Sequence, residues 1–193
     1  MLRGANYLDD SMKKYYWAQQ AGGYRTITEA EKCIISIYDA FNQEDPSHFI
    51  EKNKEKFDLQ YNPDESDLRV EADIDIGFSP ILLLSEALTE SISGLSGFNQ
   101  LRRVEIHLPR EDLLAFYLED TIPAGLNLEL SDYDKYEKGL VVFKHVLNSE
   151  NLQEKDILRI SESPLKIFFS SEFVNIFQKN RFKGADFKEV MTS

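Results

Sequence analysis

Glu71, Asp73 and Asp75 recur at every second residue between Leu68 and Ile76. On an extended strand such residues share a face, so their carboxylates would project together at intervals of roughly 7 Å. Like charges so placed repel, and Arg69 is the sole base in the row. Three kinds of chemistry fit this pattern. A solvated edge would resist unwanted strand pairing. A basic partner would relieve the repulsion by docking. A divalent metal or an acid–base pair could also use Asp-x-Asp spacing, which is common and unspecific. A second acidic cluster, Asp132, Asp134 and Glu137, is interleaved with Lys135 and Lys138. Its Tyr133 and Tyr136 are amphipathic side chains suited to an interface.

Other reactive residue types are sparse. His48, His107 and His145 are far apart, two in expected strands and one in the first turn of an expected helix. Cys33 is the single cysteine, which excludes an internal disulfide and a cysteine-built metal site. No phosphate loop, dinucleotide fingerprint, nucleophile elbow or zinc spacing occurs. The sequence therefore predicts no catalytic residue, no cofactor and no metal.

Elements must position these groups, and one arrangement is written twice. From Ser163 to Val190 the chain reads strand, helix, turn, strand: an apolar run from Leu165 to Phe169, then Ser170 or Ser171 as helix cap. Phe173, Val174 and Phe177 follow at helical spacing, Lys179 and Arg181 sit near the helix end, Gly184 is its expected stop, and Ala185, Phe187 and Val190 open a last strand. Ser79 to Ile106 has the same order of punctuation, which suggests two packed halves. Upstream, Lys13 to Ala18 reads as a first strand ended by Gly22 and Gly23. Thr28 to Phe41 reads as a helix with Thr28 and Glu31 at capping-box spacing and Cys33, Ile34, Ile37 and Phe41 on its apolar stripe. Cys33 on that stripe is expected to be an inert core thiol. Asp45 and Pro46 start a second helix carrying Phe49 and Ile50 inward. Strict alternation from Leu68 to Ile76 predicts a half-buried strand with the carboxylates on its wet face. Leu126–Leu130 and Leu140–Leu147 read as strands flanking a charged loop from Ser131 to Lys138, and residues 110–119 fit helix or strand.

Composition bounds the rest. The 193 residues are 42% hydrophobic, with thirteen Phe and nine Tyr to fill a core. No apolar run approaches the roughly 20 residues of a membrane span. Residues 1–12 show little periodicity and no apolar signal region, which predicts a cytoplasmic product. A formal net charge of −12 argues against nucleic acid or an anionic membrane as partner, while permitting a basic protein.

Leu165 to Phe173 and Phe182 to Val190 resemble the closing motif of a large bacterial family of immunity proteins. These belong to polymorphic-toxin and contact-dependent inhibition systems, in the group numbered eleven. The likeness lies in an apolar strand, a Ser-Glu helix start, and a final Gly-x-x-Phe-x-x-Val phrase. It extends to Ile81–Leu88, Val104–Ile106, Phe116–Leu118 and Leu128–Ser131, and covers roughly residues 68–190. Residues 19–60 have no counterpart in it. The family's motifs carry no catalytic residue. The resemblance implies inhibition by binding: a cognate toxin domain is the expected partner, and the charge suits a basic one. An enzyme built on Glu71, Asp73 or Asp75 and a non-catalytic scaffold are the alternatives.

The expected fold is α+β: a mixed, mostly antiparallel sheet with packed helices and two related strand–helix–strand units in the C-terminal two-thirds. Residues 1–62 are expected to form a strand and two-helix region and 63–193 the immunity-like domain, sharing one core, with a seam near 60–68. Ile34, Ile37, Phe41, Phe168, Phe173 and Phe177 are expected to be buried. Partner contacts are expected at Glu71, Asp73, Asp75, Asp132, Tyr133, Asp134 and Tyr136.

Overall fold

The computed structural model describes residues 13–69, 71–137 and 139–193. The reading of residues 1–12, and the places of Val70 and Lys138 in their expected elements, lie outside the described residues. In chain order the protein forms β1 (Tyr15–Gln20), β2 (Ile27–Glu29), α1 (Ile37–Ala40), α2 (Pro46–Lys52) and β3 (Leu59–Tyr61). It continues with β4 (Ile74–Asp75), β5 (Ile81–Ser85), α3 (Glu86–Ile92), β6 (Leu101–Val104) and β7 (Leu113–Leu118). Then come β8 (Asp132–Tyr136), β9 (Gly139–Lys144), β10 (Val146–Leu147), β11 (Ile157–Ile160), β12 (Ser163–Ser170), α4 (Ser171–Lys179) and β13 (Ala185–Thr192). The fold is α+β. Its ladders are antiparallel except for β10 against β13.

The two related units are real in space, and their relation is closer than the residue match suggests. The first has strand order β4-β5-β7-β6, the second β11-β12-β1-β13, extended by β10. Registers coincide: Ile74 faces Leu84 as Ile157 faces Phe169, and Ser85 faces Leu113 as Ser170 faces Tyr15. Ser85 and Ser170 cap their helices alike, accepting from the amides of Leu88 and Phe173. The strand that closes the second unit is therefore not the next one in the chain but β1, inserted between β12 and β13. No seam near residues 60–68 separates β1 from the C-terminal sheet.

Alternation along these strands sorts side chains into three cores. Leu82, Leu84, Phe116 and Leu118 of the first sheet meet Ala18, Ile167 and Phe169 of the second, with Leu88, Ile92, Phe173 and Phe177 of α3 and α4, in a central core. The first sheet's other face, with Ile81, Leu83, Val104, Ala115 and Tyr117, lies under Ile27, Ile37, Ile50 and Phe57. The second sheet's other face, with Tyr15, Leu158, Phe168 and Val190, meets Ile122, Leu126, Leu147 and Leu152. Four aromatic rings, Phe169, Phe173, Phe177 and Phe187, pack at centroid distances of 4.4 to 6.5 Å in the middle.

Several expectations need correction. The helix over Thr28–Phe41 is only one turn, Ile37–Ala40, because Ile27–Glu29 pairs with Leu59–Tyr61 instead. Glu29 then accepts from Ser36 Oγ and the Ile37 amide, fixing the helix start far downstream of Thr28. Ile34 is 75% exposed, Phe41 half-buried, and Cys33 half-buried in a loop where its thiol donates to Ile35 O. Burial and the nearby Glu29 carboxylate push that thiol's pKa up. Only Ile74–Asp75 of the expected Leu68–Ile76 strand is a strand. Of the expected strand Leu126–Leu130 only Leu126 pairs, in an isolated bridge with Leu147; residues 128–130 are a turn, since Asn127 Oδ1 accepts from the Glu129 and Leu130 amides. The charged loop after it is instead strand β8. Helix α4 ends at Asn180, with Arg181 at φ 60°, so Gly184 is not its stop.

Candidate functional site

The three alternating carboxylates do not share a wet face. A layer formed by residues 24–61 lies where solvent was expected, and Asp75 is 2% exposed beneath it. Its carboxylate accepts from the amides of Ile27 at 3.1 Å and Gly77 at 2.8 Å. Burial pushes its pKa up, and these two amides hold it down only in part. Asp73 accepts from Ser85 Oγ at 3.0 Å and from the Lys183 amide at 2.9 Å. Two of the three acids thus satisfy backbone groups that the fold would otherwise orphan. Glu71 alone remains exposed.

Asp132, Tyr133, Asp134 and Tyr136 are brought together on β8, far in sequence from the first set. They form a two-stranded hairpin with β9, in register Tyr133–Val142, Asp134–Val141 and Tyr136–Gly139. A hairpin needs a packed face to persist in water, and this one uses Leu140 and Val142, which pack with Trp17 on the second outer core. Period-two alternation then turns Val141 and Phe143 outward, beside Asp134 and Tyr136. Tyr136 is 58% exposed and Phe143 63%. Asp132 and Asp134 form no ion pair with the described residues, and Tyr136 Oη sits 3.4 Å from Asp134 Oδ2. No other backbone group among the described residues pairs with either outer edge of this hairpin.

Val141 and Phe143 were missed from sequence. The signal was there: Leu140 to Phe143 is an unbroken apolar run between Gly139 and Lys144, following a charged strand of period two. Such a run reads as buried unless the partner strand is known to be polar and outermost.

Elsewhere, polar clusters are consumed in structure. An open cleft of about 430 Å³ is lined by Lys32, Lys54, Asp58, Glu105 and His107. Two of its lysines are paired: Lys32 with Asp58 at 2.8 Å, Lys54 with Glu105 at 2.7 Å. Ser47, buried at the start of α2, lies 2.8 Å from both Asp45 and Glu119 and accepts from Arg102 at 2.9 Å. That network fastens α2 to β6 and β7. Arg159 is buried over the Tyr117 ring, donating to the carbonyls of Glu119 and Pro164, and joins the two units. Among the described residues no group of three or more His, Cys, Asp or Glu is placed to hold a metal, and no helix is long and apolar enough to cross a membrane.

Comparison of the chain with protein-family models finds no match, and comparison with curated proteins finds none.

Proposed function

We propose that this protein is an immunity-type inhibitor that neutralises a bacterial toxin domain by binding it. The observation that carries this reading is the outer face of the β8–β9 hairpin, where Tyr136, Val141 and Phe143 stand exposed beside Asp132 and Asp134. Exposed apolar side chains ringed by charge are the make-up of a protein interface. Covering such a side chain yields about 1.5–3 kcal/mol each before association costs. A stable complex buries about 800 Å² on each partner, so the hairpin would be the centre of a larger contact. The unpaired carboxylates, on a chain of net charge −12, would steer a basic toxin surface toward that centre.

The test is co-expression with any toxin domain that a neighbouring gene is found to encode. The parental chain is expected to protect cells and co-purify with the toxin. Val141→Asp with Phe143→Asp is expected to abolish both while leaving the unfolding midpoint unchanged. Full protection by that folded variant would overturn the hairpin as the docking face. Failure of the parental chain to bind any neighbouring toxin would overturn the immunity reading itself.

A further inference from the structure

The two units provide an internal comparison that points to a second binding surface. Their superposable registers make Lys166 the counterpart of Ile81, Trp17 of Ala115, and Lys188 of Val104. In the first unit this trio is apolar and buried under the chain's own residues 27–57. In the second unit it is cationic and aromatic, and Leu140 and Val142 of the hairpin pack near it, beside Trp17, leaving Lys166 and Lys188 partly or fully exposed. Lys166 Nζ lies 4.3 Å and Lys188 Nζ 5.5 Å from the centre of the Trp17 ring. Beside them runs an open groove of about 260 Å³ lined by Phe143, Lys144, His145, Val190 and Met191.

Two properties of the groove specify an occupant. Lys144, Lys166 and Lys188 make no ion pair with any described residue, although the chain carries 34 acidic residues against 22 basic ones. The one carboxylate on the groove wall, Glu189, is paired with Lys14 at 3.4 Å. Two unneutralised ammonium groups over one ring, with a third on the groove wall, therefore form a local positive site on an acidic protein. The rim is apolar, with Phe143 and Met191 both more than half exposed. A carboxylate between the lysines and an apolar neighbour on the rim would satisfy both.

We infer that this groove binds an acidic, extended segment of a partner protein, its carboxylates set against Lys166 and Lys188 and its apolar residues against Phe143 and Met191. The segment plays the part in the second unit that residues 27–57 play in the first. Half-burial already lowers the pKa of Lys166, so a carboxylate arriving there gains from a poorly solvated cation. A long polyanion such as nucleic acid meets the repulsion of the whole chain, whereas a short segment meets only the local field. The groove shares Phe143 with the outer face of the hairpin, but Trp17, Lys166 and Lys188 lie outside that face, and the inference does not depend on the immunity reading.

Trp17 is the only tryptophan, which makes the protein's indole fluorescence a reporter of the surroundings of this one ring. With each quencher normalised to its effect on free N-acetyltryptophanamide, iodide is expected to quench it about threefold more efficiently than caesium, despite a net charge that would repel iodide. Lys166→Gln with Lys188→Gln is expected to reverse that order while quenching by neutral acrylamide stays as before, which reports an intact fold. A short capped peptide alternating Asp and Leu should shield Trp17 from iodide; its Lys–Leu counterpart should not. Caesium quenching equal to iodide quenching would overturn the inference. So would an Asp–Leu peptide that gives no protection, or oligothymidylate protecting in its place.

Discussion

Asp73 and Asp156 occupy equivalent positions before the two units, and each fastens its own helix cap to the other unit's turn. Asp73 accepts from Ser85 Oγ and from the Lys183 amide, while Asp156 accepts from Ser170 Oγ at 2.6 Å and from the Ser96 amide at 2.9 Å. The backbone repeats the exchange: the Asp73 amide donates to Lys183 O and the Asp156 amide to Ser96 O, both at 2.8 Å. Lys13 adds an ion pair to Asp156 at 2.8 Å. The two aspartates are a reciprocal clasp between the halves.

Removing either side of the clasp should unfold both halves together. Asp73→Ala and Asp156→Ala are each expected to cost about 2–4 kcal/mol, the range for charge-assisted bonds whose donors are left unsatisfied. Chemical denaturation should remain a single transition. Two separate transitions would show that the units fold independently.

Gly97 and Gly184 are where the clasp requires close approach. They adopt φ 94° and 110°, and a Cβ on either would lie 2.4 Å from the carbonyl oxygen of Ile157 or Ile74. Alanine at either position is expected to cost more than about 2 kcal/mol, from positive φ and from collision with backbone that cannot yield. Gly22→Ala, whose Cβ would meet nothing within 4 Å, should be nearly neutral by the same denaturation measurement.

Burial distinguishes the central core from the misread helix. Phe177→Ala, from a residue enclosed by Phe173, Phe182 and Phe187, is expected to cost roughly 3–5 kcal/mol. Ile34→Ala should change stability by less than about 0.5 kcal/mol. Equal effects would contradict the placement of Ile34 at the surface.

Stability should fall as the solution is acidified below neutrality. Burial, aided by the Lys166 cation, pushes the pKa of His145 from 6.5 down to about 4. Its ring lies against Phe168, with Nε2 3.2 Å from Ser163 Oγ. A depressed folded pKa means the unfolded chain takes up the proton first. The contribution is therefore whole above pH 6.5 and is lost as pH falls toward 4. Asp156 acts in the same sense at lower pH: burial raises its pKa, but the bonds from Lys13, Ser170 and Ser96 outweigh this and leave it lowered. Asp75 opposes them, because its raised pKa makes its ionised form a cost that acid relieves. His145→Gln should flatten the stability profile between pH 6.5 and 4, measured by urea midpoints at each pH.

If the hairpin docks a basic toxin surface, Asp132→Asn with Asp134→Asn should slow association and reduce its dependence on salt, with dissociation little changed. Stopped-flow mixing at low and high ionic strength reads this directly. Asp73→Asn would behave differently, lowering stability and leaving the association rate of the folded fraction unaltered.

Local chemistry alone determined much of this protein. The order from Ser163 to Val190, its echo from Ser79, the Ser170 cap, the Asp45–Pro46 helix start and the burial of Phe168, Phe173 and Phe177 all rest on spacing and capping within a few residues. What failed depended on which other segment lay alongside. Thr28 has helix-start chemistry, yet pairing of Ile27–Glu29 with Leu59–Tyr61 satisfies those backbone groups from about thirty residues away. The alternation of Leu68 to Ile76 put Ala72 and Ile74 inward as expected, but Leu68 is only half-buried, and the pattern could not reveal that a second layer covers Asp75. There Asp75 became a buried acceptor instead of a docking charge. Nor could order along the chain show that β1 closes the second unit. Strand partners are chosen by edge complementarity across the whole molecule, and only the assembled sheet shows Trp17 between Lys166 and Lys188.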